Sequence, residues 1–182
     1  GVGVTISYGE LATAGAGAKI ICVVPGGIDF EEAAKTLNQA IDRGVDLQGA
    51  IVRQDDAVLI TNRLHKAIPI IDEVTLIDKV PLHMLAAVEV ALPGQTIQTL
   101  SNPYGIATVF ELSPDETKLI VPIARALIGN RSAVVVRTPA GDVKARTIPA
   151  GFITLVGEKG REDIDVEAGA RKIMETVERV QP

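Results

Sequence analysis

The stretch "AKIICVVPGGIDFEEAAKTLNQAIDRGVDLQGAIVR", residues 18–53, decides the fold. Ala18–Val24 is a continuous apolar run rich in β-branched residues, which predicts a buried strand. Asp29 is a good N-cap, and the apolar residues that follow it recur at helical spacing. Gly44 stands where such a helix ends, and Gly49–Arg53 predicts a second strand. Strand, helix and strand in about 35 residues form a βαβ unit, whose strands run parallel with a right-handed crossover.

The pattern changes after Asp56. Ala57–Thr61 and Ile68–Ile71 are short β-like stretches with no long helix between them, and short consecutive strands favour antiparallel pairing. Ser113-Pro-Asp-Glu116 predicts a helix start, with Ser at the N-cap, Pro at N1 and Glu at N3. This helix should run to about residue 128, interrupted by Pro122.

The two ends of the chain complete the predicted organisation. Residues 1–17 are rich in Gly and Ala and are interpreted as a loose lead-in. Ala133–Thr138 and Val143–Ile148 flank "PAGD", which predicts a hairpin, and a last helix should start near Asp165. The pattern therefore predicts one α/β domain over residues 1–182, part parallel and part antiparallel, with helices packed on a sheet.

Composition narrows the function classes. The chain has 182 residues, of which 47% are hydrophobic and 3% aromatic, so its core must be aliphatic. The net charge of −5 argues against nucleic acid as a partner, because phosphate binding needs a basic surface. No apolar run approaches the length of a membrane span, so no membrane partner is expected. The single cysteine, Cys22, excludes an internal disulfide and favours a cytoplasmic protein.

Few residues have the spacing of known catalytic or nucleotide-binding motifs. The glycines of "GAGA", residues 15–18, precede a strand instead of following one, so no nucleotide site is expected there. Cys22 lies among Ile and Val and is interpreted as a core thiol. His65 and His83 show no zinc-ligand spacing with each other or with Cys22.

The aspartates at the ends of apolar runs are the remaining candidates. Asp55 follows Gly49–Arg53, and Asp72 follows Ile68–Ile71. If those runs are neighbouring strands, the two carboxylates can lie side by side, where a hard cation such as Mg²⁺ or Ca²⁺ would remove their repulsion. The alternative from the residues alone is that both are solvated, or paired with Arg53 or Arg63.

Three long stretches of the sequence resemble one protein family. They are "RQDDAVLITNRLHKAIPIIDEV" (residues 53–74), "IDKVPLHMLAAVEVALPG" (77–94) and "LSNPYGIATVFELSPDETKLIVPIARALIGNRSAVVVRTPAGDVKARTIPAG" (100–151). All three resemble the large subunit of diol and glycerol dehydratase reactivases. The family's large subunit resembles an actin-like ATPase with an inserted swivelling domain, and this chain resembles that inserted domain alone. The resemblance implies a β/β/α three-layer fold with one parallel and one antiparallel sheet.

The resemblance also implies a function. In the family this domain carries the small reactivase subunit, and the assembled ATP-dependent, chaperone-like factor lets damaged cobalamin leave the adenosylcobalamin-dependent diol or glycerol dehydratase. The family places a divalent cation, usually Mg²⁺, at the subunit contact. Matching its "DD" and "PIIDE" motifs to this sequence assigns Asp55 and Asp72 as metal ligands, whereas the family's threonine ligand lies upstream of Gly1. The isolated chain therefore offers few ligands, and the cation site is expected to be weak without the partner.

We further expect three properties of this chain. The chain should hydrolyse no ATP, because the lobes that hold nucleotide in the family are absent from it. The carboxylates of Asp55 and Asp72 should lie within about 6 Å of each other, on the side of the domain left open for the partner. The alternative function is a stand-alone metal-dependent enzyme using Asp55 and Asp72, which would need a base such as Asp56, His65 or Glu73 nearby.

Overall fold

A computed structural model describes residues 1–139, 151–157 and 160–171. Residues 1–139 form one compact unit and residues 140–182 a second. The expected single domain over residues 1–182 stays a prediction, because compactness alone does not fix a domain border. The strands and helices of the first unit, in chain order, are β1 (Val2–Ser7), β2 (Lys19–Val24), α1 (Phe30–Asp42), β3 (Asp46–Val52), α2 (Ala57–Thr61), β4 (Ile70–Ile71), β5 (Leu85–Val90), α3 (Pro103–Phe110), α4 (Pro114–Leu119), α5 (Val121–Ala126) and β6 (Ser132–Arg137).

The first unit is built on one mixed sheet of six strands, in the order β4-β3-β2-β1-β5-β6. β1, β2, β3 and β4 are parallel, whereas β5 runs antiparallel to β1 and β6 runs antiparallel to β5. The α/β class and the parallel and antiparallel strand sets are therefore confirmed. The two sets join into one hydrogen-bonded sheet, because β1 pairs with a strand of each.

The predicted βαβ unit is confirmed as β2, α1 and β3. Asp29 caps α1, since its carboxylate accepts a hydrogen bond of 2.8 Å from the backbone N–H of Glu31. Gly44 has a positive φ of 88°, which glycine adopts without steric cost at the end of a helix. The later helix start is also confirmed, because Ser113 and Glu116 form a reciprocal capping box. The helix is interrupted near Pro122, as predicted, into α4 and α5.

Three predictions about secondary structure were wrong. Residues 1–17 are not a loose lead-in, because Val2–Ser7 form the central strand β1 and Tyr8–Thr13 a 3-10 helix. Ala57–Thr61 form the helix α2 instead of a strand, since Ile60 is buried and a distant carboxylate bonds the helix start. Ile70–Ile71 form a strand, but it pairs parallel to β3.

Helices α1, α2, α3 and α5 bury side chains in the core, and all four pack on the same face of the sheet. Val2 and Ile6, which share a face of β1, belong to the two helix-covered parts of the core. The opposite face carries Ile21, Ile51 and Val88, and residues 74–82 cover it, with Ile77 buried. The hydroxyl of Thr5 holds this segment, because it donates to the carbonyl oxygen of Pro81 at 2.7 Å.

The second unit contains a β-hairpin, β7 (Phe152–Gly157) and β8 (Gly160–Asp165), that was not predicted. A helix follows over residues 166–171, which confirms the predicted start near Asp165. The Asp165 carboxylate caps it by accepting hydrogen bonds from the backbone N–H groups of Glu167 and Ala168. In the predicted hairpin around "PAGD", the first strand is β6, whereas Val143–Ile148 lie outside the described residues.

Glu89 on β5 anchors the loop that leads to α3. Its carboxylate accepts hydrogen bonds from the backbone N–H groups of Gln98, Thr99 and Leu100, the last at 2.7 Å. Partial burial raises the pKa of Glu89, but these N–H groups outweigh it and hold the pKa below its ordinary value of 4.5. A carboxylate with a lowered pKa stabilises the fold above its ordinary pKa, and the contribution is lost as the pH falls through the lowered value.

We expect Glu89→Gln to destabilise the chain at pH 7 by about 1 kcal/mol, because an amide presents an N–H₂ group to backbone donors. The difference in unfolding free energy between the parent and Glu89→Gln should shrink as the pH falls below the ordinary carboxyl pKa. Urea unfolding of both proteins at a series of pH values measures this difference in unfolding free energy. Glu111→Gln, an exposed change, is the control, and a difference that does not vary with pH would contradict the assignment.

Candidate cation site and docking surface

The two candidate aspartates follow neighbouring parallel strands. Asp55 comes after β3 and Asp72 directly after β4, and these strands pair through Ala50 with Ile70 and Ile51 with Ile71. Parallel strands end at the same edge of a sheet, so the condition set by the sequence for bringing the two carboxylates together is met.

The chain segments that carry the aspartates stay side by side beyond the strands. The backbone N–H of Glu73 donates to the carbonyl oxygen of Gln54 at 3.3 Å, and that of Val74 to the carbonyl oxygen of Val52 at 3.1 Å. Glu73 has a positive φ of 56°, which turns the chain directly after Asp72. The separation of about 6 Å between the carboxylates stays a prediction.

Asp72 also bonds the helix α2. Its Oδ2 accepts a hydrogen bond of 2.9 Å from the backbone N–H of Ala57, the first residue of the helix. Asp56, at the N-cap position, makes no capping hydrogen bond with its side chain. Asp72, half-buried, therefore satisfies a donor at the start of α2, and its other oxygen has no hydrogen bond within the described part of the chain.

Asp55 is exposed and lines a solvent-open cleft of about 680 Å³ at this edge of the sheet. The cleft is lined by Gly26, Arg53, Gln54, Asp55, Glu73 and Thr75. The carboxylates of Asp55 and Glu73 are hard oxygen donors of the kind that Mg²⁺ and Ca²⁺ prefer. Arg53 also lines this cleft, and its positive charge disfavours a cation nearby, which is another reason to expect a weak site in this chain alone.

Asp55 and Asp72 offer carboxylate oxygens, the type of donor that Mg²⁺ and Ca²⁺ prefer. Within residues 1–139, 151–157 and 160–171, no group of three or more His, Cys, Asp or Glu side chains is placed to hold a metal ion. Mg²⁺ and Ca²⁺ take six or more oxygen ligands, including water. Asp55 and the free oxygen of Asp72 could therefore supply two of them, and further ligands would have to come from elsewhere.

The remaining candidate residues do not assemble a catalytic group around the aspartates. Nδ1 of His65 lies 3.1 Å from the carboxylate of Asp42, the last residue of α1, and so at the opposite end of the sheet from Asp55 and Asp72. Cys22 is buried, and burial raises the pKa of its thiol to about 12, so it is an inert core residue. The enzyme alternative therefore gains no base from His65.

The outer side of α2 is apolar, which the sequence did not reveal because the stretch was interpreted as a buried strand. Ile60 is wholly buried, but Val58 is 71% exposed and Leu59 is 39% exposed. An open groove of about 630 Å³ adjoins Val58. It is lined mainly by apolar residues of α2, of residues 67–70 and of residues 88–93. We call Val58, Leu59 and this groove the α2 surface.

No helix among the residues that the structure describes is long and apolar enough to cross a membrane. The expected cytoplasmic location stays a prediction.

Comparison with known proteins identifies one family. A family described as "DD-reactivating factor swiveling domain" matches residues 1–143. The sequence is 57% identical over 178 residues to the diol dehydratase-reactivating factor large subunit of Klebsiella michiganensis. It is 56% identical to the propanediol dehydratase-reactivating factor large subunits of Salmonella typhimurium and Citrobacter freundii. These alignments cover 97–98% of the chain, which spans 29% of the length of these curated relatives.

Solved structures show the same fold. The nucleotide-free form of a diol dehydratase-reactivating factor superposes with a TM-score of 0.75 at 57% identity, covering 98% of this chain and 29% of that one. A glycerol dehydratase reactivase superposes with a TM-score of 0.75 at 52% identity, covering 100% of this chain and 30% of that one. The swivelling-domain fold is therefore confirmed. The matched residues 1–143 coincide closely with the first compact unit, residues 1–139.

Proposed function

The chain belongs to the swivelling-domain family of dehydratase-reactivating factors, and we propose that it is the domain on which such a factor carries its small subunit. The observation that carries this proposal is the arrangement of Asp55, Asp72 and α2. Two carboxylates lie at the ends of neighbouring strands, and one of them is hydrogen-bonded to a helix with an exposed apolar side.

The apolar character of the α2 surface supports the proposal that a protein partner docks there. Exposed apolar side chains on their own are common on soluble proteins, but Val58 stands beside a mainly apolar groove of about 630 Å³. Contiguous exposed apolar surface rimmed by polar residues is typical of protein interaction sites. The aspartates lie at the start of α2, so one partner can cover the α2 surface and approach the carboxylates together.

A divalent cation, Mg²⁺ or Ca²⁺, is the proposed bridge at this contact. Asp55 and the free oxygen of Asp72 would hold it, and a carboxylate from the small subunit would complete the ligand set. When bound, the cation neutralises carboxylates that would otherwise repel each other and the incoming partner. Affinity for the cation and affinity for the small subunit should therefore rise together.

The activity of the whole factor is proposed from the relatives. In such a factor, ATP-dependent exchange of the small subunit would open the adenosylcobalamin-dependent diol or glycerol dehydratase and release damaged cobalamin. We propose that this chain contributes partner docking to that cycle and hydrolyses no ATP by itself. A cytoplasmic location is part of the same proposal.

Val58→Asp tests the docking surface. We expect it to raise the Kd for the cognate small subunit at least about tenfold, because docking would bury an unpaired charge. Val58 is already exposed, so the fold should be unaffected. Calorimetric titration with the small subunit in Mg²⁺ measures the change.

Leu119→Asp is the matched control, because Leu119 on α4 is similarly exposed, at 76%, and lies on the part of the helical layer that covers β5 and β6. We expect Leu119→Asp to bind the small subunit with the same Kd as the parent. Equal Kd values for the parent and Val58→Asp would contradict docking at the α2 surface.

A further inference from the structure

We infer that Asp72 is a positioning residue for helix α2, and that it orients the docking helix whether or not a cation is bound. The inference rests on the proposed function, in which α2 contacts the small subunit. It concerns a hydrogen bond within this chain, between Oδ2 of Asp72 and the backbone N–H of Ala57, at 2.9 Å.

Helix α2 depends on a few tertiary contacts. It has five residues, Ala57–Thr61, and a helix of that length is not stable by itself in water. Ile60 anchors it in the core. At its other end the Arg63 side chain donates a hydrogen bond of 3.0 Å to the carbonyl oxygen of Leu59.

The start of α2 has one side-chain cap within the described residues, and it comes from a residue 15 positions along the chain. The N–H groups in the first turn of a helix have no partners within the helix, so a capping acceptor stabilises that turn. A carboxylate is favoured there, because the helix start carries partial positive charge. Losing the Asp72 carboxylate should therefore loosen α2 and displace Val58 and Leu59.

Asp55 and Asp72 consequently differ in role although both are proposed cation ligands. Asp55 is exposed and makes no hydrogen bond to a backbone group of α2 within the described part of the chain. Removing Asp55 should affect only the cation, whereas removing Asp72 should also affect the helix. Asp72→Asn separates the two roles of Asp72, because its amide oxygen can still accept from Ala57 but the negative charge is gone.

The experiment measures the Kd of the cognate small subunit in EDTA, where no cation contributes. We expect the Kd of Asp72→Ala to be about five- to tenfold higher than that of Asp72→Asn, because both lose the charge but only Asn keeps an acceptor for the helix start. The surface control Asp115→Ala should stay within about twofold of the parent. If Asp72→Ala binds in EDTA as tightly as Asp72→Asn, the positioning role is wrong.

Hydrogen exchange of the backbone N–H groups of Ile60 and Asn62, both bonded within α2, gives a readout that does not need the partner. Exchange should be about five- to tenfold faster in Asp72→Ala and close to the parent in Asp72→Asn. Equal exchange in Asp72→Ala and the parent would overturn the inference. If no variant binds the small subunit but exchange changes as expected, the proposed function fails and the positioning role stands.

Discussion

Deletion of residues 1–7 is expected to abolish the cooperative unfolding transition of the chain. These residues form β1, which pairs with β2 on one side and β5 on the other. No other described strand joins the parallel and antiparallel parts of the sheet. Without β1, both parts would present unpaired edges, and the buried side chains on the two faces of the sheet would be exposed to water. Far-ultraviolet circular dichroism during urea titration measures the transition. A deleted chain that unfolds with the parent's midpoint and slope would show that residues 1–7 are dispensable.

A single substitution probes the same strand. A Cβ at Gly3 would lie 2.7 Å from the carbonyl oxygen of Lys19 in β2, whereas a Cβ at Gly9 would have no atom within 4 Å. Gly3→Ala should therefore lower the free energy of unfolding by about 1–3 kcal/mol, the usual effect of overpacking. Gly9→Ala is the matched control and should change little. Equal stability of the two variants would argue against a central β1.

Asp55→Ala is expected to raise the Kd for the small subunit in Mg²⁺ at least about thirtyfold, the effect of removing one partner of a buried charge contact. Asp55 is exposed in this chain, so its removal should leave the unfolding midpoint unchanged. The loss should therefore be seen in binding and not in stability, as expected of a residue that acts at an interface.

Asp56→Ala is the matched control for Asp55→Ala. Its carboxylate is adjacent in sequence and makes no capping hydrogen bond to α2, and no cation-binding role is proposed for it. Both variants change the net charge equally, so a general electrostatic effect would weaken binding equally. Similar Kd values for the two variants would contradict a specific role for Asp55.

The parts of the fold that sequence predicted are those whose signals are local. Asp29 and Gly44 mark the two ends of α1 within a single apolar pattern, and Ser113 and Glu116 cap each other across one helical turn. Each signal lies within a few residues of the structure that it specifies. Such signals can therefore be recognised in the sequence without knowing which distant residues the segment contacts.

The failures come from contacts between distant residues. The Gly-rich start of the chain becomes a central strand because β2 and β5 pair with it, and tertiary pairing overrides weak strand propensity. The Ala57–Thr61 stretch suits a strand by composition, yet it is a helix with Ile60 buried and Asp72 bonded to its first N–H. That acceptor lies 15 residues away, outside any local window.

Only part of the candidate site could be predicted from the sequence. The positions of Asp55 and Asp72 after apolar runs indicated that they follow strands, and β3 and β4 are neighbours as required. The bond from Asp72 to Ala57 and the exposed side of α2 could not be predicted once that segment was taken for a strand. The part of the proposed docking surface that α2 forms was therefore missed for the same reason as the helix, although an open surface was expected on the side of the two aspartates.

The most direct test of the account is the Kd of the cognate small subunit for this chain, measured with Mg²⁺, with Ca²⁺ and with EDTA. We expect tight binding with either cation and binding at least about thirtyfold weaker in EDTA, as large as the effect of Asp55→Ala in Mg²⁺. We also expect Asp55→Ala to bind equally in all three conditions, because the cation no longer contributes. A parent Kd that is the same in Mg²⁺ and in EDTA would contradict the proposed cation bridge at Asp55 and Asp72.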